Sequence, residues 1–223
     1  FLVTTDITDR VHAERSLSRA FERQTALQRE LNHRVKNSMA GLLALIDLTR
    51  QRHQSVDHFA ETISQRVRGM TRVHSLLSSH DWQPIDLDAL LTSLLPTHTI
   101  GSFVTDGPAV IVPPGVATAM GMLIQELFSN SLSHGALNHI SGCVAVQWKI
   151  ERSPMHSYLE LEWRETGGPP ITAPPTPKLG TELIQGFARH ELRGSIELRF
   201  PPEGVQHTLI SNFDWSNVER RLP

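Results

Sequence analysis

Apolar residues recur at Leu27, Leu31, Val35, Met39, Leu42 and Ile46, three or four positions apart. From Asp9 to about Arg52 no proline interrupts them, and Gly41 is the only glycine. Such spacings place one stripe along a helix, so the pattern predicts a single long helix. The polar stretch "RHQSVDH" ends it, and a second stripe follows at Phe59, Ile63, Val67, Met70 and Leu77. Two helices joined so briefly predict an antiparallel hairpin.

After "SSHDWQP" the period changes. The β-like runs "AVIVP", "CVAVQWKI", "YLELEW", "SIELRF" and "HTLISNF" alternate with helical patterns at 86–95, 115–133 and 180–192. In "YLELEW" the alternation sets Tyr158, Glu160 and Glu162 against Leu159, Leu161 and Trp163, the pattern of a half-buried strand. This second part is expected to be an α/β sandwich with helices on one face of a mixed sheet, so the chain as a whole reads as α+β. The Pro-rich "GGPPITAPPTPKLG" is too short for a linker and reads as a loop over a site.

Composition adds bounds. Charged residues make up 20% and hydrophobic residues 39% of the 223, and no apolar run reaches the length that spans a bilayer, so the expected location is cytoplasmic. Cys143 is the only cysteine, which excludes an intrachain disulfide framework and a multi-cysteine zinc site. The opening "FLVTTDITDR" lacks the basic start of a signal peptide and reads as the continuation of something longer. Residues 9–80 carry 12 Lys and Arg against 7 Asp and Glu, whereas 81–223 carry 9 against 15. A basic first part suits nucleic acid or an acidic protein face; its basic residues are not interleaved with aromatics, so nucleic acid ranks last.

The first candidate chemistry lies in "ELNHRVKNSMAGLLALIDLTR". His33 shares a helical face with Glu30 and Asn37, while the apolar stripe lies elsewhere. A neutral imidazole offers a lone pair able to attack phosphorus, provided that its other nitrogen has an acceptor. Glu30 suits that acceptor role or the role of base, Asn37 a phosphoryl oxygen or a water, and Arg34 and Lys36 supply cationic donors. In "MGMLIQELFSNSLSHGAL", Glu126 and Asn130 are four apart and share a face; a carboxylate and an amide oxygen suit Mg²⁺, which keeps waters and bridges to phosphates. In "LEWRETGGPPI", Glu165 at a strand end can accept a hydrogen bond from an exocyclic amine, and the glycines after it let backbone approach a flat ring. Gly180 and Thr181 open a further helix, whose first N–H groups suit phosphate.

"HRVKN" preceded by "EL" resembles the phosphoacceptor box of sensor histidine kinases of the HWE and closely related HisKA_2 type. The resemblance implies that His33 is the site of autophosphorylation; Arg34 stands where other kinase families place an acidic base. "QELFSNSLSHGAL" resembles the N box of the GHKL ATP-binding fold, which in the HWE group looks like "HELATNAAKYGAL". It implies that Glu126 and Asn130 serve ATP and Mg²⁺. Gln125 replaces the histidine, Ser133 the lysine and His134 the tyrosine of that box. "WRETGG" resembles the G1 box, implying that Glu165 reads the adenine amine and Gly167 gives the base room. "PKLGTELIQGFARHEL" resembles the second glycine box with Lys178 in place of its first glycine, where it is expected to supply the cation missing at Ser133. "VTTDITDRVHAERSL" looks like the last strand of a PAS-type sensor and the helix that leaves it.

The implied organisation is the end of a PAS-type sensor over 1–8 and a helical linker with phosphoacceptor hairpin over 9–80. A catalytic GHKL domain over 81–214 and a tail over 215–223 follow. The implied function is ATP-dependent phosphorylation of His33 and transfer to an aspartate of a response regulator, by a homodimer or a monomer. Two alternatives stay open: a degenerate phosphotransfer scaffold, and a GHKL ATPase clamp in which Glu126 activates water.

Overall fold

The computed structural model describes residues 56–152, 157–173, 175, 179–213 and 215. These lie within one compact unit, Arg52–Pro223. Helix α1 spans Val56–Ser79, and Asp81 and Trp82, both with left-handed φ (50° and 55°), turn the chain out of it. A two-residue strand β1, Ile85–Asp86, leads into α2, Leu87–Leu94. The Asp86 carboxylate caps α2, accepting from the N–H groups of Asp88 and Ala89. Strands β2 (Ser102–Asp106) and β3 (Ile111–Val112) precede the long helix α3, Pro114–His134. Proline is tolerated at the start of α3 because the first N–H groups of a helix have no intrahelical partner.

A 3₁₀ turn at Ala136–Asn138 links α3 to β4, Cys143–Arg152, which pairs antiparallel with β5, Ser157–Thr166. Helix α4, Leu179–Gly186, runs into a π turn at Phe187–Glu191, and β6 (Ser195–Arg199) and β7 (Gln206–Ser211) complete the unit. The main sheet has the order β2-β4-β5-β7-β6. Only the β2–β4 pair is parallel, so the sheet is mixed as expected. Strand β2 escaped the sequence pattern: "SFVTD" has two adjacent apolar residues rather than an alternating set, and it lies at a sheet edge with Val104 half exposed.

The core sits between the sheet and the helices. Phe128 of α3 meets Phe103 of β2 and Trp163 of β5, both edge to face, with centroids 5.2 and 5.1 Å apart. The opposite sheet face carries ion pairs, Lys149 with Glu151 and Glu160 and Arg164 with Glu162, as a solvated surface should.

Helix α1 packs against α3. The apolar stripe put Val67 inward, yet it is exposed, whereas Val73 and Leu77 are fully buried. The reason is a close crossing with α3. A Cβ at Gly121 would lie 2.9 Å from Val73 Cγ1, so that glycine lets the helices approach; one at Gly69 would meet Gln125 Cβ at 3.7 Å, an ordinary contact. Helix α1 lies in the same compact unit as the sandwich, Arg52–Pro223, and its Val73 and Leu77 belong to the common core.

Candidate functional site

Glu126, Asn130 and His134 follow one another along one face of α3. Glu126 is half-buried; Asn130 and His134 are exposed, as is Ser133. The other side of the same turns buries Leu127, Phe128 and Ser131 against the core. A carboxylate and an amide oxygen one turn apart are hard oxygen donors of the kind Mg²⁺ takes. Among the described residues no cluster of three His, Cys, Asp or Glu could cage a metal, but an ion that keeps its waters and bridges to phosphates needs only one or two carboxylates. The donor set fits.

Glu165, at the end of β5, faces the helices and is 5% exposed. Its Oε1 accepts from the Trp163 indole N–H at 2.9 Å. Its Oε2 accepts from the Ser131 hydroxyl at 2.8 Å and from the Ala136 N–H at 2.9 Å. The Ser131 oxygen in turn accepts from the Leu137 N–H at 3.3 Å. The carboxylate thus joins the strand end to the last turn of α3 and to the 3₁₀ turn beyond it. Three of its roughly four acceptor positions are used by the protein, and one on Oε1 is left.

Glycines make this junction possible. A Cβ at Gly135 would lie 2.1 Å from Glu165 Oε2, and one at Gly142 would lie 1.8 Å from the Ala136 carbonyl oxygen. Gly167 has φ +67°, and a Cβ there would lie 2.0 Å from the Ser141 carbonyl oxygen. The room expected at Gly167 for a base is, on that side, filled by the 135–142 segment; glycine is required there by the protein's own backbone. Ser141 Oγ donates to the Gly167 carbonyl at 3.1 Å, closing the same contact.

Residues 30–109 match the HWE histidine kinase family. The chain is 34% identical over 209 residues to blue-light-activated histidine kinase 1 of Erythrobacter litoralis, covering 90% of this chain and 56% of that protein. It is 27% identical over 206 residues to the blue-light-activated histidine kinase of Brucella anthropi, covering 91% of this chain and 40% of that protein. The chain therefore spans about half the length of these relatives. The histidine kinase domain of the Erythrobacter litoralis EL346 blue-light-activated kinase superposes with a TM-score of 0.52 at 14% identity, over 79% of this chain and 94% of that one. The fold is the α+β, GHKL-type fold of histidine kinase catalytic domains.

Against the HWE pattern, Gln125 has a legible local role. Its Nε2 donates to the Leu94 carbonyl at 2.9 Å, tying α3 to the end of α2. Gly180 and Thr181 lie in the first turn of α4 and are half-buried. The π turn that follows is closed by the Leu192 N–H donating to the Phe187 carbonyl at 3.0 Å, five residues back. Glu30, His33, Asn37 and Lys178 lie outside the described residues.

Ser131, Gly135 and Ala136 were not singled out from sequence. The available signal was a serine on the inward face of α3, which only a buried partner explains. His207 was also missed. It is 6% exposed on β7, lies against Phe200 at 5.3 Å between ring centroids, and its Nδ1 has no hydrogen-bond partner. Burial pushes its pKa down to about 4 from 6.5, against an opposing pull from the Gln206 backbone. The folded protein keeps the ring neutral while the unfolded chain takes up a proton, so stability falls as pH drops from 6.5 to about 4. Denaturant titrations across that window should show a slope of at most ~1.4 kcal/mol per pH unit from this group, absent in His207→Phe.

Proposed function

We propose that this chain is the transmitter of a sensor histidine kinase, which phosphorylates His33 from ATP and passes the phosphoryl group to an aspartate of a response regulator. The observation that carries the reading is the match of residues 30–109 to the HWE family, a span that begins three residues before His33. The GHKL-type fold agrees with it.

In this reading the His33 imidazole attacks the γ-phosphorus of ATP; a P–N bond forms, the bond to the β,γ-bridging oxygen breaks, and ADP leaves. Glu30 accepts from the other ring nitrogen or takes the proton, and Asn37, Arg34 and Lys36 hold phosphoryl oxygens. Glu126 and Asn130 would hold Mg²⁺, which supplies charge neutralisation on the phosphates. Glu165 takes the exocyclic amine of adenine on its remaining acceptor position, beside the backbone of Gly167. Gly180, Thr181 and Lys178 serve the phosphates, Lys178 in place of the family's lysine at Ser133, and His134 borders the same face. Most of the acceleration comes from position and charge, as in phosphoryl transfer generally.

The two relatives named above are called blue-light-activated, which makes a light-responsive PAS-type sensor, in the same polypeptide, the input to test first. Use of ATP and of a response regulator assigns the chain to the cytoplasm, as a homodimer or a monomer. Among the described residues no helix is long and apolar enough to cross a membrane.

Incubation with γ-labelled ATP and Mg²⁺ should give acid-labile, base-stable label on the wild-type chain and none on His33→Ala, with nucleotide binding by calorimetry retained in both. Label on His33→Ala would overturn the acceptor assignment. Absence of nucleotide binding in the wild type would instead favour a degenerate scaffold, and phosphate release independent of His33 an ATPase clamp.

A further inference from the structure

The main sheet ends in two edge strands, β2 and β6, and they are built differently. Natural proteins blunt such edges, because a row of unpaired N–H and C=O groups invites a further strand. On β6 the outward-facing Glu197 and Arg199 are exposed and bonded to each other, so an added strand would meet charge. Strand β2 has no Lys, Arg, Pro or bulge: its five residues pair one for one with β4, from Ser102 with Cys143 to Asp106 with Gln147. The Ser102 N–H donates to the Gly142 carbonyl at 2.9 Å. Backbone groups alternate in direction along a paired strand, so Ser102, Val104 and Asp106 bond toward β4. The N–H and C=O groups of Phe103 and Thr105 then point to the other side, where β2 has no partner strand among the described residues.

The side chains along this edge are graded. Ile100 and Val104 are exposed. So is Ile140, in a loop that packs on Gly101, whose Cβ would lie 3.1 Å from the His139 carbonyl oxygen. At the other end of β2 a cavity of about 350 Å³ is lined by Asp86, Asp88, Thr105, Asp106 and Trp148, among others, and by no Lys, Arg or His. The donors to its three carboxylates among the described residues are neutral. Asp86 accepts from the Asp88 and Ala89 N–H groups, Asp88 from the Thr105 hydroxyl, and Asp106 from the Gln147 amide at 3.4 Å. An edge that is apolar at its start and anionic at its end complements an extended segment that carries a cation. A second copy of β2 does not supply one: paired antiparallel about Val104, it sets Ser102 against Asp106 and leaves the carboxylates unmet.

We propose that the open edge of β2 is a docking surface for an extended segment of a partner protein, added as a further strand, with a Lys or Arg of that segment seated in the cavity at Asp86, Asp88 and Asp106. Main-chain bonds to Phe103 and Thr105 supply affinity, and the acidic cavity supplies the choice of partner. None of these residues belongs to the nucleotide reading given above, so the two stand or fall separately.

The test uses the isotope-labelled full chain and the acetylated, amidated peptide KVTVTVK, which reads the same in both directions and so brings a lysine to the acidic end in either orientation. Titration should shift the amide resonances of β2 and slow hydrogen exchange at Phe103 and Thr105. EVTVTVE should bind about tenfold more weakly, and Asp88→Asn combined with Asp106→Asn should remove most of that difference. Binding of KVTVTVK should weaken with added salt. Equal binding of the two peptides to wild type would overturn the proposal, and that comparison needs no variant to fold. So would absence of protection at Phe103 and Thr105 with peptide at millimolar concentration, or shifts confined to β6. Protection of the same amides that rises with protein concentration and no peptide would overturn it in favour of a second copy of this chain.

Discussion

Glu165→Ala is expected to lower the unfolding free energy by about 3 kcal/mol, measured by denaturant titration. The carboxylate is the shared acceptor of the Trp163 indole, the Ser131 hydroxyl and the Ala136 N–H. Its removal leaves three buried donors without partners, each worth roughly 1–3 kcal/mol, while the cost of burying a charge is recovered in part. Glu165→Gln should be milder, about 1–2 kcal/mol. Its amide oxygen can take the place of Oε2 and serve Ser131 and Ala136, but the NH₂ then confronts the Trp163 N–H. If the junction also presents the base-reading acceptor, the Gln variant loses ATP affinity about tenfold more than its stability loss explains, because an NH₂ opposes the adenine amine. A Glu165→Ala chain as stable as wild type would show that the carboxylate does not hold α3 to the sheet.

Gly135→Ala should cost about 2–4 kcal/mol by the same measurement, in the range of overpacked core positions. The backbone at Gly135 has φ −120° and ψ −155°, which any residue adopts, so the effect is one of space. The new methyl would fall 2.1 Å from Glu165 Oε2 and 2.9 Å from Ser131 Cα. The second contact is backbone and cannot swing away; the first can, but only by giving up both hydrogen bonds to Oε2. Combining Gly135→Ala with Glu165→Ala should therefore cost less than the two separately, by about 1 kcal/mol or more, since the second change removes the atom that the first one displaces. Strict additivity would mean that the methyl is accommodated elsewhere.

Together these residues explain why the end of α3 and the end of β5 act as one element. The polar face of the α3 turns that carry Glu126 and Asn130 is held in register with the strand end by Ser131, on the inward side of the same helix. A perturbation at Glu165 is therefore expected to reach the Glu126–Asn130 face without touching it.

How much of this was legible in the chain depends on the range of the physics. Helix α3 was predicted at 115–133 and is observed at Pro114–His134, because its periodicity, its proline start and its glycine end are all local. The alternation of "YLELEW" assigned the faces of β5 correctly, with Leu159, Leu161 and Trp163 buried. That Glu126 and Asn130 share a face follows from helical spacing alone, and the GHKL-type fold was reached from the order of three short boxes. Local pattern placed Leu77 of α1 correctly but put Val67 in the stripe where Val73 is buried, because Val73 sits at the close crossing with Gly121 of α3. It missed β2, whose parallel partner β4 begins 41 residues further on at Cys143.

Sequence by itself determined the elements, the alternation of buried and exposed positions, and the residue types able to do phosphoryl chemistry, because each depends on neighbours within a few residues along the chain. Tertiary structure alone decided that Glu165 ties β5 to the end of α3, that the Ser141 carbonyl lies where a side chain at Gly167 would go, and that His207 stands opposite Trp163. Ser131 and Glu165 are 34 residues apart in the chain, and His207 meets Trp163 only through the β5–β7 register. Such pairings are fixed by the summed packing of a sheet against its helices, and no local period encodes them.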